Sequence, residues 1–383
     1  DFVTRVIKFG VIGCGLMGRE FASATARWFH LTDTKARPEL VAVCDLNPQL
    51  TNWFSANVPS VTQVTADYRE LLANETIEAV YCAVPHNLHH SIYPEILAAG
   101  KHLLGEKPFG IDADANRQIQ DSILAHPNSL VRCSSEMPFF PGAQKLINFV
   151  RAGDLGDIIE VEAAFLHSSD LNPNKPINWK RIVDINGAYG CMGDLGMHVL
   201  HLPLRLGWKP SRVSATLVNR FATRPDGQGN TVPCETWDNA TIFGHVDDDR
   251  GGFPLVLKTW RIAPGHSNTW SIRVLGTKKS AYFSTKNPRQ WQFMTYAGGS
   301  GVWSVEDLGF ESLFPAITGG IFEFGFADAI QQMWAAFMDE LAGGNANGFG
   351  CVTPQEAADH HAILNAALTA GTTNSVQDVL YFE

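Results

Sequence analysis

Val6-Ile7-Lys8-Phe9-Gly10-Val11-Ile12-Gly13-Cys14-Gly15-Leu16-Met17-Gly18 is the stretch that decides the fold. A strand-sized apolar run (6–12) leads straight into a G-x-G-x-x-G, and residues 17–29 continue with a helical pattern. In that setting Gly13 permits a tight turn, Gly15 lets the backbone approach a pyrophosphate, and Gly18 allows close helix–strand packing. The helix that opens at Leu16 and Met17 offers N–H groups and the positive end of its dipole to an anion. A tight βα turn without ligand would have the same glycines. What separates the two is the end of the next strand (40–44), where Asp45 stands in the place of a ribose-binding acid. Asp45 is farther along the chain than the usual ~20 residues, and the polar insert 32–39 accounts for the excess. A carboxylate there accepts ribose hydroxyls and repels a 2′-phosphate, and residues 46–49 hold no Arg or Lys to reverse that preference, so NAD is favoured over NADP. Asp45 could equally cap the helix that follows.

Outward from this unit, short apolar runs alternate with amphipathic stretches over residues 1–134, the grammar of βαβ units and a parallel sheet. Strands are expected at 40–44, 79–84, 102–105 and 130–134, and helices at 67–73, 90–99 with Gly100 as its cap, and 112–125. After a helix at 142–152 the pattern changes to long alternating runs: 158–167, 212–221, 239–246, 253–262, 269–275 and 290–296. Asp247-Asp248-Asp249-Arg250-Gly251-Gly252 reads as a hairpin turn between two of them. Helices return at 326–341 and 353–369. The expectation is an α/β Rossmann domain (1–134) plus an α+β domain with a large, mostly antiparallel sheet (135–383).

The 383 residues carry 29 Lys and Arg against 39 Asp and Glu, a formal charge of −10, with no dense basic run. Nucleic acid and anionic membrane are therefore not expected partners. No apolar stretch reaches the roughly 18 residues of a membrane span. The start at Asp1, with no initiator methionine and no secretory pattern, reads as a trimmed N-terminus. Seven widely spaced cysteines without a Cys-x-x-Cys pair favour reduced thiols and a cytoplasmic protein.

Two further constellations carry chemistry. Glu106-Lys107-Pro108 follows a strand at the carboxyl end of the parallel sheet, where ligands of open α/β folds bind, which aims Lys107 at the cofactor. A lysine there can act as acid, base or hydrogen-bond donor. In Gly193-Asp194-Leu195-Gly196-Met197-His198, a helix beginning near Asp194 places Asp194 and His198 on one face, and a His beside a carboxylate is a general base for an alcohol near neutral pH. His201 adds a possible third metal ligand, but hydride transfer to a nicotinamide needs no metal, and none is expected.

Gly13-x-Gly15-x-x-Gly18, Asp45, Pro85 with His89 four residues on, Glu106-Lys107-Pro108 and Asp194-x-Gly196-x-His198 together resemble the Gfo/Idh/MocA oxidoreductases, the group of glucose-fructose oxidoreductase and inositol dehydrogenase. The resemblance runs over most of the chain. It implies NAD(P)-dependent oxidation or reduction of sugars and polyols, with Lys107, Asp194 and His198 as the catalytic set and Pro85, Asn87, His89 and Glu106 around the nicotinamide. It also implies a cis Lys107–Pro108 bond and a homodimer or homotetramer. Two departures stand out: Ala188 and Tyr189 break the glycine run before Asp194, and His201 replaces an acid.

The expected reaction is oxidation of a carbohydrate or polyol hydroxyl, or its reverse, with His198 or Lys107 handling the proton. His167, Asn178, Trp179, Lys180, Arg181 and Tyr189 are candidate substrate contacts, since sugars offer hydroxyls to polar groups and apolar faces to aromatic rings. The same residues would serve an NAD-retaining glycoside hydrolase that oxidises, eliminates and re-reduces. A non-catalytic sensor is the third reading. Net NADH formation separates the first from the other two.

Overall fold

The computed structural model describes residues 4–299, 301–309 and 311–382; Asp1 lies outside them. It divides into two compact units. The first comprises residues 1–110, 114–139 and 311–354, and the second residues 111–113, 140–310 and 355–383. The expected boundary after residue 134 thus falls just short of the first unit's edge at Phe139, and segment 311–354 returns to that unit.

Six strands form the sheet of the first unit: β1 (Arg5–Ile12), β2 (Ala36–Cys44), β3 (Gln63–Thr65), β4 (Ala79–Cys82), β5 (His102–Gly105) and β6 (Val131–Cys133). All pairs are parallel and the order is β3-β2-β1-β4-β5-β6, the doubly wound arrangement whose strand order reverses between β1 and β4. Helices α1 (Leu16–Ala26), α2 (Pro48–Asn57), α3 (Tyr68–Leu72), α4 (His89–Ala98) and α5 (Ala113–Ala125) make the crossovers. Every residue of β4 is buried, as a central parallel strand covered on both faces requires. The late helix α9 (Phe326–Leu341) belongs here because its aromatic face fills this core. Trp334 lies with its ring centroid 4.0 Å from Phe21 and 4.8 Å from Tyr81, and Phe337 reaches Phe9.

The second unit is built on a nine-stranded sheet. Its strands are β7 (Ile158–His167), β8 (Pro210–Val218), β11 (Asn239–Val246), β12 (Phe253–Trp260), β13 (Asn268–Gly276), β14 (Lys279–Ser284), β15 (Gln290–Thr295), β16 (Ser304–Asp307) and β17 (Gln377–Asp378). A separate hairpin, β9 (Thr223–Pro225) with β10 (Thr231–Pro233), stands apart from it. The sheet is mixed and mostly antiparallel, with β7 and β12 the parallel pair at its centre. The acidic turn 247–252 closes the β11–β12 hairpin as expected, with Val246 opposite Phe253. One face carries the helices α6 (Pro141–Arg151), α8 (Cys191–Arg205) and α10 (Pro354–Thr373), while α7 (Val183–Asn186) is a single turn in the loop before α8. Residues Cys191 to Leu204 are all buried, so α8 is enclosed around its whole circumference, its polar Asp194, His198 and His201 included, and lies in the core between the sheet and α10.

Candidate active site

The glycine turn divides its three roles as steric arguments require. Gly13 has φ +96, and a Cβ there would lie 2.5 Å from the Ala83 carbonyl oxygen. A Cβ on Gly18 would lie 2.4 Å from the Gly13 carbonyl oxygen, so this position permits the close approach of α1 to the turn. At Gly15 a Cβ would meet nothing within 4 Å: the backbone at the N-cap of α1 faces open space. Asp45 stands at the end of β2 beside this opening. Its Oδ2 accepts from the Cys14 N–H at 2.8 Å and its Oδ1 from the Asn47 N–H at 2.8 Å. Each carboxylate oxygen has a second lone pair for a ribose hydroxyl. The capping alternative for Asp45 fails, because Asn47 caps α2 by accepting from Gln49 N–H at 3.0 Å. An open glycine backbone, a helix N-terminus and an acceptor carboxylate are the donor and acceptor set a dinucleotide needs. Cys14 and Cys44, buried beneath the turn, have thiols pushed up to about 12 by burial and by the Asp45 charge, so they stay protonated packing groups.

At the ends of β4 and β5 the picture is more selective. Pro85 and Asn87 are half-buried, but His89 is fully buried with both ring nitrogens engaged. Nδ1 accepts from the Gly110 N–H at 3.2 Å, and Nε2 lies 3.1 Å from the Val84 carbonyl, which assigns its proton to Nε2. Its ring also stacks on Tyr93 at 4.7 Å. His89 is therefore a clamp that ties two loops, and it reaches a cofactor only through the segments it holds. Glu106 is buried likewise: Oε1 accepts from Tyr81 Oη at 2.6 Å and its carbonyl from Tyr93 Oη at 2.9 Å. Lys107, half-buried, follows it, and Lys107–Pro108 is cis as the family likeness implies.

In the second unit, Asp194 is the fourth residue of α8 and 1% exposed, and His198, one turn on, is 5% exposed. Asp194 is held by two cations: its Oδ2 accepts from Arg261 Nη1 and from Lys180 Nζ, the latter at 3.0 Å. Arg261 also donates through Nε to Asp170 Oδ2 at 2.9 Å, and Lys175 pairs with Asp170 at 3.1 Å. Burial alone would raise Asp170, but Arg261 and Lys175 outweigh it and bring it down to about 2. His198 packs edge-on against Phe165 at 5.1 Å, and its carbonyl accepts from Trp270 Nε1 at 2.8 Å. Gly196 between them is explained by His360 of α10, whose Nε2 would lie 2.8 Å from a Cβ at that position. Burial, then the neighbouring His361 and His198, keep His360 well below its ordinary range and hence neutral.

The candidate substrate residues divide. Trp179, Asn178, Lys180 and His167 are half-buried, with the Lys180 ammonium 5.8 Å from the Trp179 ring centroid. Arg181 is a correction: it is fully buried, paired with Asp238 at 2.5 Å and donating to the Trp237 carbonyl at 3.1 Å, so it braces the loop and is not offered to a ligand. Tyr189 is 2% exposed with its ring against His361, a packing position. The broken glycine run has a simple cause. Only Gly187 and Gly190 have positive φ in that turn, and Ala188 and Tyr189 between them do not need to be glycine. His201 is fully buried, and its Nε2 lies 3.3 Å from Arg205 Nη2, an arrangement that suits an acceptor for a cation and not a metal ligand. Among the described residues no three His, Cys, Asp or Glu side chains converge as a metal site. Arg261, Asp170 and His360 were absent from the sequence reading; the one local signal was a charged residue at the end of an apolar strand, Trp260-Arg261.

Comparison with known proteins identifies the family. The family described as "Oxidoreductase family, NAD-binding Rossmann fold" matches residues 7–130, and the "GFO/IDH/MocA C-terminal domain" matches residues 143–282. The chain belongs to the Gfo/Idh/MocA oxidoreductase family. It is an NAD-binding oxidoreductase. Levoglucosan dehydrogenase of Pseudarthrobacter phenanthrenivorans is 24% identical over 368 residues, covering 85% of this chain and 93% of that one. Inositol 2-dehydrogenase of Burkholderia multivorans is 27% identical over 163 residues, 43% of this chain and 47% of that one. A solved levoglucosan dehydrogenase in complex with NADH and L-sorbose shares the fold with TM-score 0.85 at 21% identity, covering 99% of this chain and 100% of that one.

Proposed function

We propose that this protein is an NAD-dependent dehydrogenase of a sugar, polyol or sugar derivative in which Lys107, Asp194 and His198 form the proton-transfer set. The observation that carries the reading is the state of Asp194, a buried carboxylate held by Arg261 and Lys180 one helical turn before a histidine. NAD, when bound, supplies the hydride acceptor. His198 takes the hydroxyl proton on its imidazole, the side chain that most often serves as a general base. Asp194, held in place by Arg261 and Lys180, orients substrate hydroxyls and stabilises the positive charge that develops on His198. Lys107 donates a hydrogen bond to the substrate oxygen or relays the proton. Half-buried Trp179 and His167 supply an aromatic face and a polar contact for a carbohydrate.

The levoglucosan and inositol dehydrogenases among the relatives support a sugar or polyol as substrate. They do not favour the NAD-retaining glycosidase. The experiment is a panel of sugars, polyols and aryl glycosides incubated with NAD and followed by near-UV absorbance and aglycone release. NADH accumulation on a sugar or polyol is expected, whereas aglycone release without NADH would replace the proposal with the glycosidase, and NAD binding without either with the sensor.

We further propose a cytoplasmic homodimer or homotetramer joined through the open face of the nine-stranded sheet. That face presents Phe243, 49% exposed, with Val256 opposite it, and the ion pairs Lys258–Glu162 and Arg273–Glu160. Among the described residues no helix is long and apolar enough to cross a membrane.

A further inference from the structure

Strands β5 and β6 run in register to the carboxyl edge of the first sheet, with Leu103 opposite Val131 and Gly105 opposite Cys133. The Ser134 N–H then donates to the Gly105 carbonyl at 2.9 Å, which carries the pairing one residue further. The two chains therefore leave the sheet side by side, one as Glu106-Lys107 and the other as Ser134-Ser135-Glu136. Glu106 and Glu136 are 7% and 4% exposed. Two acids are thus buried on neighbouring segments at one sheet edge, with Lys107 next in sequence to the first, and buried carboxylates are tolerated only when paired, hydrogen-bonded or protonated. Glu106 has the Tyr81 hydroxyl on its Oε1. Glu136 is pushed up to about 7, first by burial and then by the Glu106 charge, while a hydrogen bond from its own backbone and, after it, the Lys107 charge pull it back.

We propose that Glu136 is a positioning residue for Lys107: its carboxylate, buried beside Glu106, holds the Lys107 ammonium at the sheet edge and governs whether it keeps its proton. When Glu136 is ionised the ammonium is favoured, and when Glu136 is protonated that support is withdrawn. The other groups facing this cluster do not replace it. Tyr81 of β4 and Tyr93 of α4 are held far above their ordinary range by burial, Cys82 of β4 likewise, and Cys133 of β6 is a buried thiol. His89 of α4 is locked between Val84 and Gly110. The turn Met137–Phe139 packs on α9, whose acids Asp328, Asp339 and Glu340 are already paired with Arg27, Lys35 and Arg132.

The kinetic side of this inference rests on the proposed role of Lys107, but its test does not. In the full-length protein, the pH dependence of Lys107 reductive methylation, read by peptide mass spectrometry, reports the ionisation of that ammonium directly. In Glu136→Gln the midpoint for Lys107 falls by about one pH unit or more, the surface Lys278 does not move, and Glu136→Asp restores part of the shift. An unmoved Lys107 midpoint in a folded Glu136→Gln variant overturns the proposal. Should that variant not fold, the reciprocal measurement decides: the infrared carboxylic-acid band of Glu136 disappears near pH 7 in the wild type and persists to higher pH in Lys107→Met, and a band indifferent to Lys107 overturns the proposal. A Lys107 midpoint that shifts while Lys107→Ala retains full turnover would sustain this linkage and defeat the catalytic reading instead.

Discussion

The glycine turn of the first unit and the head of α8 in the second both prepare a place for a charged ligand or a charged side chain, with different materials. At residues 13–18 the work is done by backbone: a positive φ at Gly13, a close approach at Gly18, open N–H groups near Gly15, and a single carboxylate, Asp45, bonded to the turn itself. At Asp194 it is done by side chains brought from far along the chain. Arg261 lies 67 residues from Asp194 and 91 from Asp170, and it bridges both. The contrast teaches that a backbone site survives most side-chain changes and fails at particular glycines, whereas an ion-pair site fails when any one charge is lost. A buried carboxylate without its cation is a far more costly group than an absent ribose contact.

The largest expected break is Arg261→Met. It leaves Asp170 and Asp194 buried without their shared cation, so we expect a loss of about 3–5 kcal/mol in denaturant unfolding together with loss of turnover. A variant with wild-type stability would show that Lys180 and Lys175 alone support the two acids. Next comes the pair Gly18→Ala and Gly15→Ala. The first forces a Cβ to within 2.4 Å of the Gly13 carbonyl and should cost about 1–3 kcal/mol of stability. The second has room for its Cβ, so its stability should stay within about 0.5 kcal/mol of wild type while NAD affinity, measured by calorimetry, falls about tenfold or more. Equal stability losses in the two would contradict the division of roles within the turn.

The same contrast accounts for what was legible in the sequence. The turn could be read because its requirements are local: glycine spacing, the strand before it and the acid at the end of the next strand are all visible within 45 residues. The parallel and antiparallel halves were legible for the same reason, through the change from helix-interrupted runs to alternating ones. Segment 311–354 was not, because nothing in α9 records that Trp334 will fill the gap beside Phe21 and Tyr81. Lys180 and Arg181 are neighbours of identical charge, yet one is half-buried against Trp179 and the other is sealed against Asp238, 57 residues away. Charge and position in a loop do not distinguish them; only the fold of the segment that brings Asp238 to Arg181 does. The clamp made by His89 was not legible for a related reason, since both of its ring nitrogens are taken by backbone groups that no spacing rule predicts.

The central claim is that Lys107 and His198 carry the proton chemistry of an NAD-linked oxidation, and its most direct test is single-turnover NADH formation in Lys107→Ala and His198→Ala, alongside NAD binding measured by calorimetry. The account predicts that both variants bind NAD as the wild type does and form NADH at least about a hundredfold more slowly, in line with the loss of a general acid or base. Wild-type rates of NADH formation in either variant would contradict it.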